Sequence, residues 1–181
     1  MAKRVVFLAD AMLRKLCRWL RLLGANTLYA DSSLSDEQVL RKAVRAKAIL
    51  LTRDKAFHQH ASKKIPALLF RTTDTRKQLL QVLKRYPLNL KTFLSRTRCP
   101  ECNAPLEKVQ KSKVKGLVYP AVYQFNKRFW KCLGCGKVYW QGAHWGKISK
   151  ELQALTRASE LRSVSRPSSR ARKPRSALRR A

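Results

Sequence analysis

The chain has 181 residues, enough for one domain of ordinary size with a smaller module beside it, and 45% of them are hydrophobic, so a core can form. Lys and Arg number 41 against 10 Asp and Glu, a formal net charge of +31. That excess excludes a neutral enzyme of small metabolites as the default reading and points to a polyanionic partner. No apolar run approaches the roughly 20 residues of a spanning helix, and Asp10, Arg14 and Lys15 break the apolar start before it can serve as a signal peptide. Nucleic acid is therefore the expected partner, with no membrane contact.

Taken in chain order, strand and helix signals alternate through residues 1–95. Val5–Ala9 is a short apolar run that predicts a buried strand. From Ala11 to Leu23, the residues Leu13, Leu16, Cys17, Leu20 and Leu23 recur at helical spacing, with Gly24 where a helix C-cap belongs. Cys17 falls on the apolar stripe and is expected to be a small buried group. Thr27–Ala30 predicts a second strand. Ser35 and Gln38 form a capping-box signature opening a helix that carries Val39, Leu40, Ala43 and Val44. Ala48–Leu51 and Ala67–Phe70 predict two more strands, with His58 and His60 between them on a helix-like or loop stretch facing solvent. A last helix is expected from about Thr75 to Tyr86, ended by Pro87. This order implies an α/β domain with a parallel central sheet and right-handed crossovers.

Residues 96–150 read differently. Cys99-Pro-Glu-Cys102 and Cys132-Leu-Gly-Cys135 flank 29 residues with Val118, Tyr119, Val122, Tyr123 and Phe125, and Lys137-Val-Tyr-Trp140 follows. Two Cys-x-x-Cys knuckles suit a closed tetrahedral zinc site in a reducing compartment, the cytoplasm or the nucleus of a cell that has one. The module is expected to be small and β-rich, stapled by a structural Zn²⁺ because its own core is thin. Such a closed site leaves His144 surplus as a ligand. Residues 151–181, a short helix and then an Arg/Ser/Pro-rich stretch from Arg157, cannot bury a core and are expected to form a disordered basic tail.

Ligands of an open parallel sheet bind at the carboxyl ends of its strands. Asp10 ends the first strand, Asp54 follows the third through Thr52-Arg53, and Asp36 lies in the first turn of the helix after the second. If the first and third strands are neighbours, these carboxylates meet at one edge, where mutual repulsion calls for a divalent cation, Mg²⁺ or Mn²⁺. Bland readings stand beside this one: Asp10 as an N-cap, Asp36 as a helix-dipole partner, Asp54 as a turn residue. Asp74 reads as a helix cap and Asp31 as solvated loop. On the first helix Arg14, Arg18 and Arg21 form a ridge at i, i+4 and i+7 that either faces water or steers phosphates, and Arg53 stands beside Asp54. In the second module Lys127, Arg128, Trp130 and Trp140, with Phe125 and Phe129, interleave cations with aromatics; they either stack bases or fill the core.

Several blocks resemble one known family: Phe7-Leu-Ala-Asp10 with Met12-Leu13, Leu16-Cys-Arg-Trp-Leu-Arg-Leu-Leu-Gly24, Leu50-Leu-Thr-Arg-Asp54, Arg98-Cys-Pro-Glu-Cys-Asn103, Cys132–Trp140 and Gly142-Ala-His-Trp145. In this order they resemble the Mut-seven C-terminal (Mut7-C) ribonuclease family over about residues 4–150. The resemblance implies a PIN-like nuclease domain followed by a zinc ribbon, a metal-dependent endoribonuclease, and an acidic site mapping onto Asp10, Asp36 and Asp54. The chain departs from the family pattern at Arg14, where Gly is usual, and at Ala11, where a larger side chain is common. The rival expectation is a non-catalytic RNA- or ribosome-binding protein on the same scaffold.

Overall fold

The computed structural model describes residues 5–86 and 97–142, with positions 150 and 154 besides. The elements are β1 (Val6–Ala9), α1 (Arg14–Leu22, entered through a 3₁₀ turn Ala11–Leu13), β2 (Asn26–Tyr29), α2 (Asp36–Arg45), β3 (Ile49–Thr52), α3 (Lys55–Ala61), β4 (Ala67–Leu69), α4 (Thr75–Arg85), β5 (Leu106–Val109), α5 (Pro120–Phe125), β6 (Phe129–Cys132) and β7 (Val138–Trp140). Strands β1–β4 form a parallel sheet in the order β2-β1-β3-β4; β5–β7 form a separate antiparallel sheet in that order.

The four-stranded sheet is covered on both faces, which is why β1 and β3 read as unbroken apolar runs. Phe7, Ala9, Ile49 and Leu51 point to one face and pack with Leu13, Leu16 and Leu20 of the first helical segment and Leu79, Val82 and Leu83 of α4. Leu8 and Leu50, one residue out of phase, point to the other face against Val39, Leu40 and Ala43 of α2 and Phe57 and Ala61 of α3. The caps follow the sequence closely. Ser35 and Gln38 form the full capping box on α2, and Asp74 caps α4 by accepting from the amides of Arg76 and Lys77. At the end of α1, Gly24 adopts φ +80°, a left-handed position that terminates the helix.

Of the two alternatives for the His58–His60 stretch, helix or loop, the structure forms the helix, because Asp54 caps it through the Phe57 amide. The spacer between the knuckles is not wholly β: after β5 come a 3₁₀ turn Lys111–Val114 and then α5, with Pro120 at its first turn. The expected tail after Arg157, and His144, lie outside the described residues.

Candidate functional site

Because β1 and β3 are paired parallel neighbours, Asp10 and Asp54 emerge at the same carboxyl edge. One threonine ties them together. The Thr52 hydroxyl donates to Asp10 Oδ2 and accepts the Asp54 amide at 2.9 Å. Asp10 Oδ1 accepts the Met12 amide at 3.0 Å, which caps the 3₁₀ turn, and Asp54 Oδ1 accepts the Phe57 amide at 2.8 Å. Both aspartates are thus caps and edge carboxylates at once. Asp10 is 8% exposed. Burial pushes its carboxyl above the usual range; the Thr52 hydroxyl and the Arg53 and Met12 amides pull it back, and the charge of Asp54 adds to the rise. None of the ion pairs among the described residues involves Asp10 or Asp54, although the chain carries 41 Lys and Arg.

Asp36 is not tied to this pair by any hydrogen bond among the described residues. The chain topology brings the N-terminus of α2 to the same edge, but Asp36 is exposed and leaves the capping to Ser35. Among the described residues, the side chains that close tightly as a group of three or more possible ligands are the four cysteines, not the three aspartates. Asp31 is a loop residue, its carboxyl held below the usual range by the Ser33 hydroxyl and amide.

Between the first turns of α1 and α4 lies a cleft of about 690 Å³, lined by Met12 and Arg53, chain neighbours of Asp10 and Asp54, and by Arg14, Lys15, Arg18 and Gln78, among others. Arg14 sits 5.9 Å from the centre of the Tyr29 ring, and the Tyr29 hydroxyl donates to the Ala11 carbonyl at 3.0 Å. The residue that departs from the family pattern is therefore held at the cleft by a cation–π contact.

The expected cationic ridge on α1 needs a correction. Arg21 is 6% exposed and does not face solvent. Its Nε donates to the Thr27 carbonyl and its Nη1 to the carbonyls of Pro100 and Glu101, each at 2.8 Å. Arg18 pairs with Glu101 at 2.6 Å but remains half-exposed. Asn103 completes the joint: its side-chain oxygen accepts the Thr27 amide at 3.1 Å and its amide nitrogen donates to Asn26 at 2.7 Å. The first cysteine knuckle is therefore docked on α1 and β2. Arg14 and Lys15, at the other end of α1, line the cleft together with the half-exposed Arg18. Cys17 is buried on the same helix as expected, and burial pushes its thiol up to about 11.

The two knuckles are built alike. Asn103 and Gly136 each follow a Cys-x-x-Cys with positive φ, +69° and +72°, and return their amides to the carbonyls of Cys99 and Cys132. The four Sγ atoms lie within 4.8 Å of one another, with Cys99–Cys135 at 3.7 Å and Cys102–Cys132 at 3.3 Å. Four sulfurs about 2.3 Å from one tetrahedral Zn²⁺ stand about 3.8 Å apart, so the set fits that ion. The amides of Gly134 and Cys135 point at Cys132 Sγ, at 3.3 and 3.4 Å, as they would at a thiolate. The Ala104 amide draws the exposed Cys102 thiol down to about 6. A side chain at position 134 does not fit, since its Cβ would lie 2.8 Å from Ala104 Cβ and 3.3 Å from Cys102 Sγ.

In this module the two alternatives for the aromatics, stacking bases or filling the core, divide by residue. Phe129 is fully buried, and Trp130 and Trp140 are half-buried where β6 pairs with β7, while Lys127 and Arg128 are exposed. The family model described as the Mut7-C RNAse domain matches residues 5–152. No curated protein and no solved structure matches the chain.

Proposed function

The chain belongs to the Mut7-C RNAse domain family, and from that premise we propose that it is a metal-dependent endoribonuclease whose chemistry takes place at Asp10 and Asp54. The observation that carries this reading is a pair of aspartates at one sheet edge, with Thr52 bridging the Asp10 carboxylate to the Asp54 amide and with neither carboxylate in an ion pair among the described residues of a strongly basic chain, next to a cationic cleft lined by their chain neighbours Met12 and Arg53. Their hard oxygen donors suit Mg²⁺ or Mn²⁺, with Asp36 as the third carboxylate of the proposed set. A cation held there supplies a bound water of lowered pKa and offsets charge that builds on the phosphoryl oxygens. The residues of the chain divide the remaining tasks. Thr52 fixes the Asp10 carboxylate, the caps orient both aspartates, and Arg14, Lys15 and Arg53 hold the phosphate backbone along the cleft. The four cysteines hold a structural Zn²⁺ that fixes the docked knuckle.

One observation favours a second reading, a non-catalytic RNA- or ribosome-binding protein: among the described residues Asp10, Asp36 and Asp54 do not form a group gathered closely enough to hold one ion. Cleavage of labelled structured RNA, with and without Mn²⁺, beside matched single-stranded DNA, decides between them. The nuclease reading expects Mn²⁺-dependent cutting of RNA that is lost in Asp10→Asn, which keeps the capping oxygen and hence the fold. Binding without cutting by the wild-type protein would leave the second reading.

A further inference from the structure

The two knuckles are separated by more chain than a hairpin between β5 and β6 requires, and the surplus, residues 110–128, is a folded insert. Val114, within it, is fully buried. Lys111 donates to the Gln124 carbonyl at 3.2 Å and sits 4.8 Å from the centre of the Tyr123 ring; Asn126 donates back to the Val122 carbonyl at 2.8 Å. Helix α5, the centre of the insert, buries none of its residues. At its two ends Tyr119 and Phe125 are each 79% exposed, and Leu117 nearby is 58% exposed. Six residues of helical rise separate the two aromatics, about 9 Å along the axis. Among the described residues neither ring packs on another ring or under a cation.

The charge around these rings has one sign. No Asp or Glu occurs between Glu107 and Glu151, a stretch with ten Lys and Arg. Lys113, Lys115, Lys127 and Arg128 are exposed and in no ion pair among the described residues. Aromatic faces held open and surrounded by cations alone match a ligand that repeats a flat π-face and a negative charge at each unit. We infer that the insert 110–128 is a binding site for single-stranded RNA, with bases stacked on Tyr119 and Phe125 and phosphates against Lys113, Lys115, Lys127 and Arg128. This deepens the ribonuclease reading by giving the substrate its strandedness, and it rests on that reading for the choice of RNA.

The test uses the full-length, zinc-loaded protein in the Asp10→Asn background, so that binding is measured without cutting. Fluorescence anisotropy follows an unstructured oligouridylate and a fully paired RNA duplex across a salt series. Tyr119→Ala with Phe125→Ala is expected to weaken single-strand binding about tenfold or more and to leave duplex binding and the salt slope unchanged. Lys113→Gln with Lys115→Gln is expected to flatten the single-strand salt slope by about 0.7 for each phosphate that is no longer neutralised. A Tyr119→Trp variant is expected to show quenched indole emission on adding the oligouridylate. Wild-type affinity in the double alanine variant, equal weakening on single strand and duplex, or an unquenched indole would each overturn the inference. Failure of the wild-type protein to cut RNA would instead remove the nuclease reading and leave this binding result standing.

Discussion

Asp10 carries two opposed demands. Its side chain caps a turn and accepts the Thr52 hydroxyl, yet burial holds its carboxyl above the usual range. A raised carboxyl means that the folded protein binds the proton more tightly than the unfolded chain. The stabilisation is complete below the unfolded value near 3.8 and is lost as pH rises through the folded value. Near neutral pH the ionised side chain is therefore a cost. Asp10→Asn should melt no lower than wild type there without added divalent metal, and the difference should close as pH falls below the usual Asp range. Adding Mn²⁺ should raise the melting temperature of wild type and not of the variant. Thr52 is fully buried, and Thr52→Val removes both of its bonds without changing shape. It should cost about 1–3 kcal/mol in urea unfolding and lower the cleavage rate, since Asp10 is left without its orienting donor. A thermal melt series over pH, with and without Mn²⁺, checks the first prediction and denaturant titration the second.

At the scale of elements, α1 is the part on which the rest depends. Its apolar face fills one side of the sheet, its first turn lines the cleft, and its last turn binds the cysteine knuckle. Leu20→Ala should destabilise by about 2–5 kcal/mol, the usual range for a buried leucine. Arg21→Ala leaves three carbonyls short of a charged donor and should cost about 3 kcal/mol, whereas breaking the exposed Arg18–Glu101 pair should cost at most about 1 kcal/mol. Urea titration of the two variants separates them. The spacing of leucines makes α1 readable from sequence, and the apolar runs and capping box do the same for β1, β3 and α2. Arg21 is not readable in that way, because a periodicity argument sees a cation between apolar positions but not the carbonyls of another module closing over it. Glu101, one of few acids and set inside a knuckle, is the available hint. Helix α5 is hidden because Val, Tyr and Phe favour strands, and Pro120 at a first helical turn is the opposing signal. The meeting of Asp10 with Asp54 at one edge is legible once the two strands are taken as neighbours, whereas the sequence does not show whether Asp36 closes on them as a third ligand.

At the scale of the molecule, a parallel α/β sheet and a small antiparallel sheet are joined, among the described residues, through the first cysteine knuckle, so a metal held by the four sulfurs would be linked to the docking. The four-sulfur set should bind one Zn²⁺ per chain, read by elemental analysis. Its removal with a chelator should lower the melting temperature and expose the Arg21 joint to hydrogen exchange. Gly134→Ala, which pushes a methyl group against Ala104 and Cys102, should weaken zinc retention in a chelator competition while leaving the first sheet folded. The central claim is that Asp10 and Asp54 hold a hard divalent cation. The most direct test is titration of Mn²⁺ into the zinc-loaded protein, followed by electron paramagnetic resonance, with wild type beside the Asp10→Asn/Asp54→Asn double variant. A saturable bound signal in wild type that the double variant lacks is the predicted result; the same binding in both, or none in wild type, contradicts the account.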